Sequence, residues 1–147
     1  VIVKLSPESP SIIDTATACV EAGADALSLV NTFRGLAIDV RSRKPMLGFG
    51  TGGLSGPAIR PLALRLVSEV YRNVGKPHGV PILGLGGVIT AQDALEFIVA
   101  GATAVGIGTA LFVDPLAPLS IVEGIKEFMD EQGISDLASL TGTLRFE

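Results

Sequence analysis

Two glycine-rich turns are the part of this 147-residue chain best suited to bind a ligand. Gly86 and Gly87 follow one apolar run, and Gly108 and Thr109 follow another. Glycine leaves backbone N–H groups uncovered, and each turn leads towards a predicted helix whose N-terminus carries partial positive charge. The two turns together predict an anion cradle suited to a phosphate group. The simpler interpretation is that these glycines only permit tight turns.

Lys4 is the next residue whose position suggests chemistry. It lies in the otherwise apolar run Val1–Leu5, which is predicted to be a strand. Burying an ammonium group is costly unless it faces a ligand or a carboxylate. At the carboxyl end of a strand, Lys4 can place its charge against a delocalised anion, or it can snorkel into solvent from a frayed end. The residues alone leave both interpretations open.

Asn31 and Thr32 end another strand-like run. Their amide and hydroxyl groups can hydrogen-bond a polar planar substrate, or they can serve only as a cap or a turn. The stretch from residue 31 to residue 56 is glycine-rich and longer than an ordinary connection. It ends in Ser55 and Gly56, just before Pro57, a favoured first residue of a helix. We expect this stretch to offer further free N–H groups to the same site.

Other residues with reactive side chains fit this site poorly. Cys19 lies on the apolar stripe of a predicted helix and is expected to be a small core residue. His78 precedes a strand, so it belongs at the opposite end of the sheet from the turns. No nucleophile triad and no spacing typical of metal ligands is visible, and no bound metal is expected.

The amino-acid composition excludes several classes of protein and of binding partner. Hydrophobic residues make up 48% of the chain and charged residues 18%, with a mean hydropathy of +0.54, which excludes intrinsic disorder. A net charge of −4 with scattered Lys and Arg argues against a nucleic-acid partner. The single cysteine fits a reducing compartment, and we expect a cytoplasmic protein. The longest uncharged run, Phe97–Val113, contains three glycines, so no membrane span is expected.

Four near-continuous apolar runs are typical of parallel strands covered on both faces. The predicted strands are Val1–Leu5, Ala26–Val30, Pro81–Leu85 and Ala104–Ile107. Helical periodicity predicts helices over Ser11–Ala22, Pro57–Val74, Ala91–Ala100 and Leu119–Glu131, and a short turn over Asp136–Leu140. A glycine follows each helix and is expected to end it: Gly23, Gly75, Gly101 and Gly133.

An internal repeat indicates a chain built from βα units. Residues 22–27 (AGADAL) recur as residues 100–105 (AGATAV), and in each copy a predicted helix ends at glycine and leads into a strand. Such units form a parallel sheet, either in a (β/α)8 TIM barrel or in a flavodoxin-like open sheet. A whole barrel needs about 250 residues, and the chain opens within a strand-like run. We therefore expect residues 1–147 to be a single segment of an α/β protein, the C-terminal half of a barrel with about four βα units.

Five segments, in this order along nearly the whole chain, carry a family resemblance: Val3–Pro7, Leu29–Thr32, Gly52–Ile59, Gly84–Val88 and Val105–Ala110. They resemble dihydroorotate dehydrogenase, with most similarity to the class 1B catalytic subunit. The block TGGLSGPAI, ending at Ile59, is the most specific of them. The resemblance implies an FMN-dependent barrel that oxidises dihydroorotate to orotate in pyrimidine biosynthesis.

The resemblance also implies roles for individual residues. Lys4 would lie beside the pyrimidine edge of the flavin and favour negative charge on the reduced ring, and Val30 would pack on the flavin. The remaining implied cofactor contacts are Ser55, Gly56, Gly86, Gly87, Gly108 and Thr109, the last four holding the phosphate. Asn31 and Thr32 would bind the orotate ring.

The catalytic base of the family is a loop cysteine that would lie upstream of Val1, and Cys19 does not match it. The chain alone is therefore predicted to be inactive. A class 1B relationship implies a second subunit that carries FAD and an iron–sulfur cluster. A half-barrel must also cover its open sheet edges, by the other half or by self-association.

Two other functions remain open at this stage. A barrel isomerase or aldolase acting on a phosphorylated substrate would share the phosphate cradle. A non-catalytic half-barrel that serves as an interaction module would need no ligand.

Overall fold

The computed structural model describes residues 1–146, in which four strands form one parallel sheet and the other four form two antiparallel pairs. In chain order the strands are β1 (Ile2–Lys4), β2 (Ala26–Leu29), β3 (Phe33–Gly35), β4 (Ile38–Asp39), β5 (Lys44–Pro45), β6 (Gly52–Leu54), β7 (Ile82–Leu85) and β8 (Ala104–Gly106). The parallel sheet has the order β1-β2-β7-β8, which follows the chain without reversal.

All four predicted strands are therefore confirmed, each one or two residues shorter than predicted. Their register aligns Lys4 with Ser28, and Leu85 with Gly106. Because the strands run parallel, their carboxyl ends lie at one edge of the sheet. The residues that follow these ends, including the two glycine turns, share that edge.

Helices connect the strands, and their termini follow ordinary capping chemistry. They are α1 (Ile12–Glu21), α2 (Arg60–Val70), α3 (Lys76–His78), α4 (Ala91–Ala100) and α5 (Ala117–Gln132), with 3-10 turns at Pro57–Ile59, Thr109–Phe112 and Leu137–Leu140. Thr90 caps α4 by accepting from the Asp93 N–H at 3.2 Å, and Asp93 accepts in return from the Thr90 N–H. Within residues 1–146, no helix has both the length and the apolar character that a membrane crossing requires.

The core lies between the parallel sheet and the helices that cover it. Leu27 and Ile82 of the sheet are fully buried with Val67 of α2 and Phe97 of α4. Gly84 in β7 makes this packing possible, because a Cβ at that position would lie 2.8 Å from Cδ1 of Phe97. The sheet and two helices thus form a rigid base under the strand ends.

The prediction that Gly75 ends the second long helix is wrong. Gly75 has a helical φ of −59°, and the chain continues from α2 through a π-helical turn, Tyr71–Gly75, into α3. Gly79, with a φ of +65°, ends the helix instead. A Cβ at Gly75 would lie 3.0 Å from Cδ1 of Ile82, so this glycine serves close packing.

The stretch between residues 31 and 56, predicted only as a long connection, has regular structure. β3 pairs antiparallel with β6, placing Phe33 opposite Leu54, and β4 pairs with β5 farther out. In the outer pair, the Ser42 hydroxyl and then the Arg41 N–H donate to the Asp39 carboxylate and lower the pKa of Asp39. Because β6 pairs back onto β3, residues 31–56 return the chain to the edge of the parallel sheet, just before α2.

Candidate functional site

A cleft of about 130 Å³ lies at the carboxyl edge of the parallel sheet. Its lining contains every predicted site residue: Lys4, Val30, Asn31, Thr32, Ser55, Gly56, Gly86, Gly87, Gly108 and Thr109. These residues come from five separate segments of the chain, and the fold brings all of them together. Sequence reasoning missed the remaining lining residues, Ile59, Leu85 and Gly106.

Lys4, which is exposed, and Val30, which is buried, both line the cleft. Lys4 is the last residue of β1, and no ion pair engages its ammonium group within residues 1–146. Val30 follows β2, is 3% exposed, and its N–H donates to the carbonyl of Leu85 at 3.0 Å. The lining of the cleft therefore includes one exposed cation and one buried apolar side chain.

The turn after β7 is built so that only glycine fits. Gly86 and Gly87 have φ values of +139° and +81°, a region that L side chains rarely adopt. A Cβ at Gly87 would lie 2.6 Å from the carbonyl oxygen of Gly56, and one at Gly86 would lie 2.8 Å from Cβ of Ala63. The tight-turn interpretation of these glycines therefore holds, and the turn also lines the cleft.

The turn after β8 differs, because its glycine faces open space. A Cβ at Gly108 would meet no heavy atom within 4 Å. Thr109 Oγ1 donates a hydrogen bond to Ser55 Oγ at 3.0 Å, which joins this turn to the segment before α2. The turns after β7 and β8 thus meet the same segment, and Gly86 and Gly108 line one cleft.

Backbone donors remain available in both turns. Among residues 1–146, the N–H groups of Gly86, Gly87, Gly108 and Thr109 have no acceptor. A backbone N–H without a partner binds water or a ligand in preference to remaining bare. Four such donors around one cleft are suited to an oxyanion such as phosphate.

Asn31 and Thr32 lie between this cleft and a second, polar cavity of about 450 Å³. Asn31 Oδ1 accepts a hydrogen bond from the Thr32 N–H at 2.9 Å. This bond fits the cap or turn role that the sequence analysis left open for the two residues. On the far side of the polar cavity, Glu8 Oε1 accepts from the Arg34 N–H at 3.0 Å. Glu8 and Arg34 were not predicted as site residues.

A partly buried ion pair near the cleft was also missed. Arg60, the first residue of α2, donates to Asp93 in α4, and its Nε lies 3.3 Å from Glu96 Oε2. In the sequence, the spacing of Thr90 and Asp93 fits a helix cap. That spacing does not indicate a contact between Asp93 and Arg60.

The rejected candidates lie away from the cleft. Cys19 is partly buried and packs against the core, as predicted. His78 lies just before β7, with Nδ1 2.9 Å from the carbonyl oxygen of Val74. A separate apolar cavity of about 410 Å³ lies between α2, α4 and the C-terminal residues Leu144 and Phe146, and it contains no predicted site residue.

Comparison with known proteins relates this architecture to one family. A model of the family described as dihydroorotate dehydrogenase matches residues 1–129. The chain is 54% identical over 143 residues to the dihydroorotate dehydrogenase B (NAD(+)) catalytic subunit of Geotalea uraniireducens, covering 97% of this chain and 46% of that protein. It is 53% identical over 145 residues to a putative dihydroorotate dehydrogenase A (fumarate) of Solibacter usitatus, covering 99% of this chain and 46% of that protein.

A solved structure agrees with the sequence relatives. The crystal structure of DHODH from Eimeria tenella in complex with ferulenol matches with a TM-score of 0.77 and 27% identity, over 97% of this chain and 37% of that chain. The chain spans a little under half the length of the curated relatives it matches. Since the family match extends over most of the residues and the fold agrees, the chain belongs to the dihydroorotate dehydrogenase family.

Proposed function

We propose that the cleft forms one wall of a site for FMN and dihydroorotate, in a protein that oxidises dihydroorotate to orotate in pyrimidine biosynthesis. The observation that carries the proposal is the convergence of all ten predicted site residues on a single cleft. The names of the relatives support the same reaction.

The finer fold assignment belongs to this proposal. We assign residues 1–147 as a single segment, the C-terminal half of a (β/α)8 barrel. A flavodoxin-like sheet reverses its strand order at the ligand site, whereas the order β1-β2-β7-β8 follows the chain. The chain covers 46% of the length of its relative from Geotalea uraniireducens. This share is close to the half that a half-barrel requires. The exposed sheet edges would then contact the other half or a second copy of the chain.

The cleft residues fit FMN as one side of its site. Pockets that enclose a whole small molecule measure about 300–1,000 Å³, and this cleft of about 130 Å³ can hold only part of one. The free N–H groups of Gly87 and Gly108 suit the phosphate, and the open space beside Gly108 leaves room for it. The buried Val30 offers an apolar surface for a flat ring.

The remaining roles follow from the positions of the side chains. FMN, when bound, supplies the hydride acceptor of the oxidation. Lys4 would stabilise negative charge on a ligand in the cleft, since no carboxylate in residues 1–146 pairs with it. Ser55, held by Thr109, would orient the cofactor. Asn31 and Thr32, which also face the polar cavity, would hydrogen-bond the substrate ring.

Oxidation of dihydroorotate also needs a base that removes a ring proton. The one cysteine of the chain, Cys19, packs against the core and does not line the cleft. We therefore propose that the base comes from residues outside this chain. Purified chain mixed with FMN and dihydroorotate should reduce an added acceptor no faster than free FMN does, and a faster rate would contradict this assignment.

The electron acceptor and the cellular setting are further parts of the proposal. The relative from Geotalea uraniireducens is named as an NAD(+)-dependent catalytic subunit, which supports a partner subunit here. We propose that this partner carries FAD and an iron–sulfur cluster and passes electrons to NAD. We place both proteins in the cytoplasm.

Titration of the purified chain with FMN, followed by orotate, tests the proposed function. Saturable quenching of flavin fluorescence, and a flavin absorbance change on adding orotate, are the expected results. Saturable binding of ribose 5-phosphate without flavin binding would favour a barrel isomerase or aldolase. Binding of none of these ligands would leave a non-catalytic interaction module.

A further inference from the structure

We propose that Arg60 and Asp93 are positioning residues that hold two loops of the cleft together without touching the ligand. The first loop, taken here as residues 52–59 and including the short strand β6, contains Ser55 and Gly56 and leads into α2. The second, residues 86–90, contains the glycine turn and leads into α4. The ion pair joins the first residue of α2 to the first turn of α4, and the role assigned to it rests on the proposed function.

Asp93 is the centre of this arrangement, because its carboxylate accepts hydrogen bonds from three donors. One carboxylate oxygen accepts from the N–H groups of Ile89 and Thr90, at 3.0 Å each. The other oxygen accepts from Arg60. Asp93 is only 4% exposed, so its charge is stabilised by these donors and little by water. The carboxylate thus links the backbone of the second loop directly to the side chain that starts α2.

The two loops also touch through their backbones beside this ion pair. A Cβ at Gly87 would lie 2.6 Å from the Gly56 carbonyl oxygen and 3.1 Å from Cβ of Arg60. The glycine turn therefore packs against both the first loop and the stem of the arginine. A shift of Arg60 relative to Asp93 would move Gly56 relative to Gly87, and both line the cleft.

The link between the two loops depends on both Arg60 and Asp93, because each charge is stabilised by the other. Removal of the guanidinium would leave a buried carboxylate with only two backbone donors, which is costly. The loops then relax to admit water to Asp93, and the cleft loses its shape. Arg60 also lies 3.3 Å from Glu96, but Glu96 is one-third exposed and can be solvated when Arg60 is lost.

The test compares four single variants and one double variant of the 147-residue chain. Arg60→Gln removes the charge, Arg60→Lys keeps it, and Asp93→Asn keeps an acceptor for the loop N–H groups while removing the negative charge. The matched control is Arg65→Gln, because Arg65 pairs with Glu69 on the same helix at 2.7 Å and does not line the cleft. The measurements are backbone hydrogen exchange in residues 52–59 and 86–90, and the Kd for FMN.

Arg60→Gln and Asp93→Asn should each speed exchange in both loops and weaken FMN binding about tenfold. Arg60→Lys should recover part of both effects, and Arg65→Gln should leave the Kd within about twofold. In the double variant Arg60→Gln/Asp93→Asn, the losses should be smaller than the sum of the single losses.

A purely structural ion pair would give a different result. The variants would then melt at lower temperature, while loop exchange and the FMN Kd of the folded protein stayed at the wild-type values, and that outcome overturns the inference. If the wild-type chain bound no FMN, the proposed function would fail on its own. The exchange measurement in the ligand-free chain would still decide whether Arg60 and Asp93 hold the loops.

Discussion

The hydroxyl of Thr109 donates a hydrogen bond to the hydroxyl of Ser55 at 3.0 Å, across 54 residues of sequence. Thr109 follows the last strand of the sheet, and Ser55 precedes α2. This bond joins two of the segments that surround the cleft, and the contact between Gly56 and Gly87 joins the third. Side-chain and backbone contacts therefore join the segments that surround the cleft at the carboxyl edge of the sheet.

Replacement of Thr109 by Val keeps the shape of the side chain and removes the hydrogen bond. A hydrogen bond within a protein contributes about 1 kcal/mol to stability, so the variant should unfold slightly more easily, and if the bond orients Ser55 towards the cofactor, FMN binding should weaken about fivefold. Thr109→Ser should retain the wild-type Kd. The control is Thr143→Val, since the Thr143 hydroxyl bonds only the nearby Leu140 carbonyl. An unchanged Kd in Thr109→Val would show that the Ser55 contact does not shape the site.

Replacement of Gly108 by Ala places a methyl group in the open space beside the cleft. The new Cβ would meet no protein atom within 4 Å, so the change creates no steric clash within the protein. The methyl group would occupy space assigned to the phosphate, and FMN binding should weaken about tenfold. Gly48→Ala is the matched control, because Gly48 also faces open space but lies outside the cleft. Equal Kd values for the two variants would contradict the phosphate assignment.

Replacement of Lys4 by Met tests its charge. If Lys4 stabilises the negative charge of the reduced ring, its loss should weaken reduced FMN more than oxidised FMN. The midpoint potential of bound FMN should then fall by about 30 mV, which is about 1.4 kcal/mol for two electrons. Lys76→Met, in α3, removes the same charge outside the cleft and should leave the potential unchanged. A potential that is equal in both variants would assign Lys4 to the snorkelling interpretation.

The strands, and the position of several cleft residues at one edge of the sheet, could be predicted from local sequence. Continuous apolar runs identify parallel strands, and residues at their carboxyl ends must share one edge, which is why Lys4, Asn31 and Gly86 were placed together. The assignment of Gly75 as a helix end failed because a glycine can equally serve close packing, here against Ile82. Local sequence does not distinguish these two uses.

Contacts between residues far apart in the chain could not be predicted from local sequence patterns. The strands β3 and β6 are short and glycine-rich, so they lack the alternation that identifies antiparallel strands. Arg60 and Asp93 are 33 residues apart, and each fits its own helix without reference to the other. Their pairing follows only when the sheet sets α2 beside α4.

The binding of a phosphate by the two glycine turns is the central claim, and amide NMR tests it most directly. The chain labelled with ¹⁵N would be titrated with FMN and, separately, with riboflavin, which lacks the phosphate. The account predicts that the amide signals of Gly86, Gly87, Gly108 and Thr109 shift together with FMN and much less with riboflavin. Saturable FMN binding that leaves these four signals in place, or equal shifts with both ligands, would contradict it.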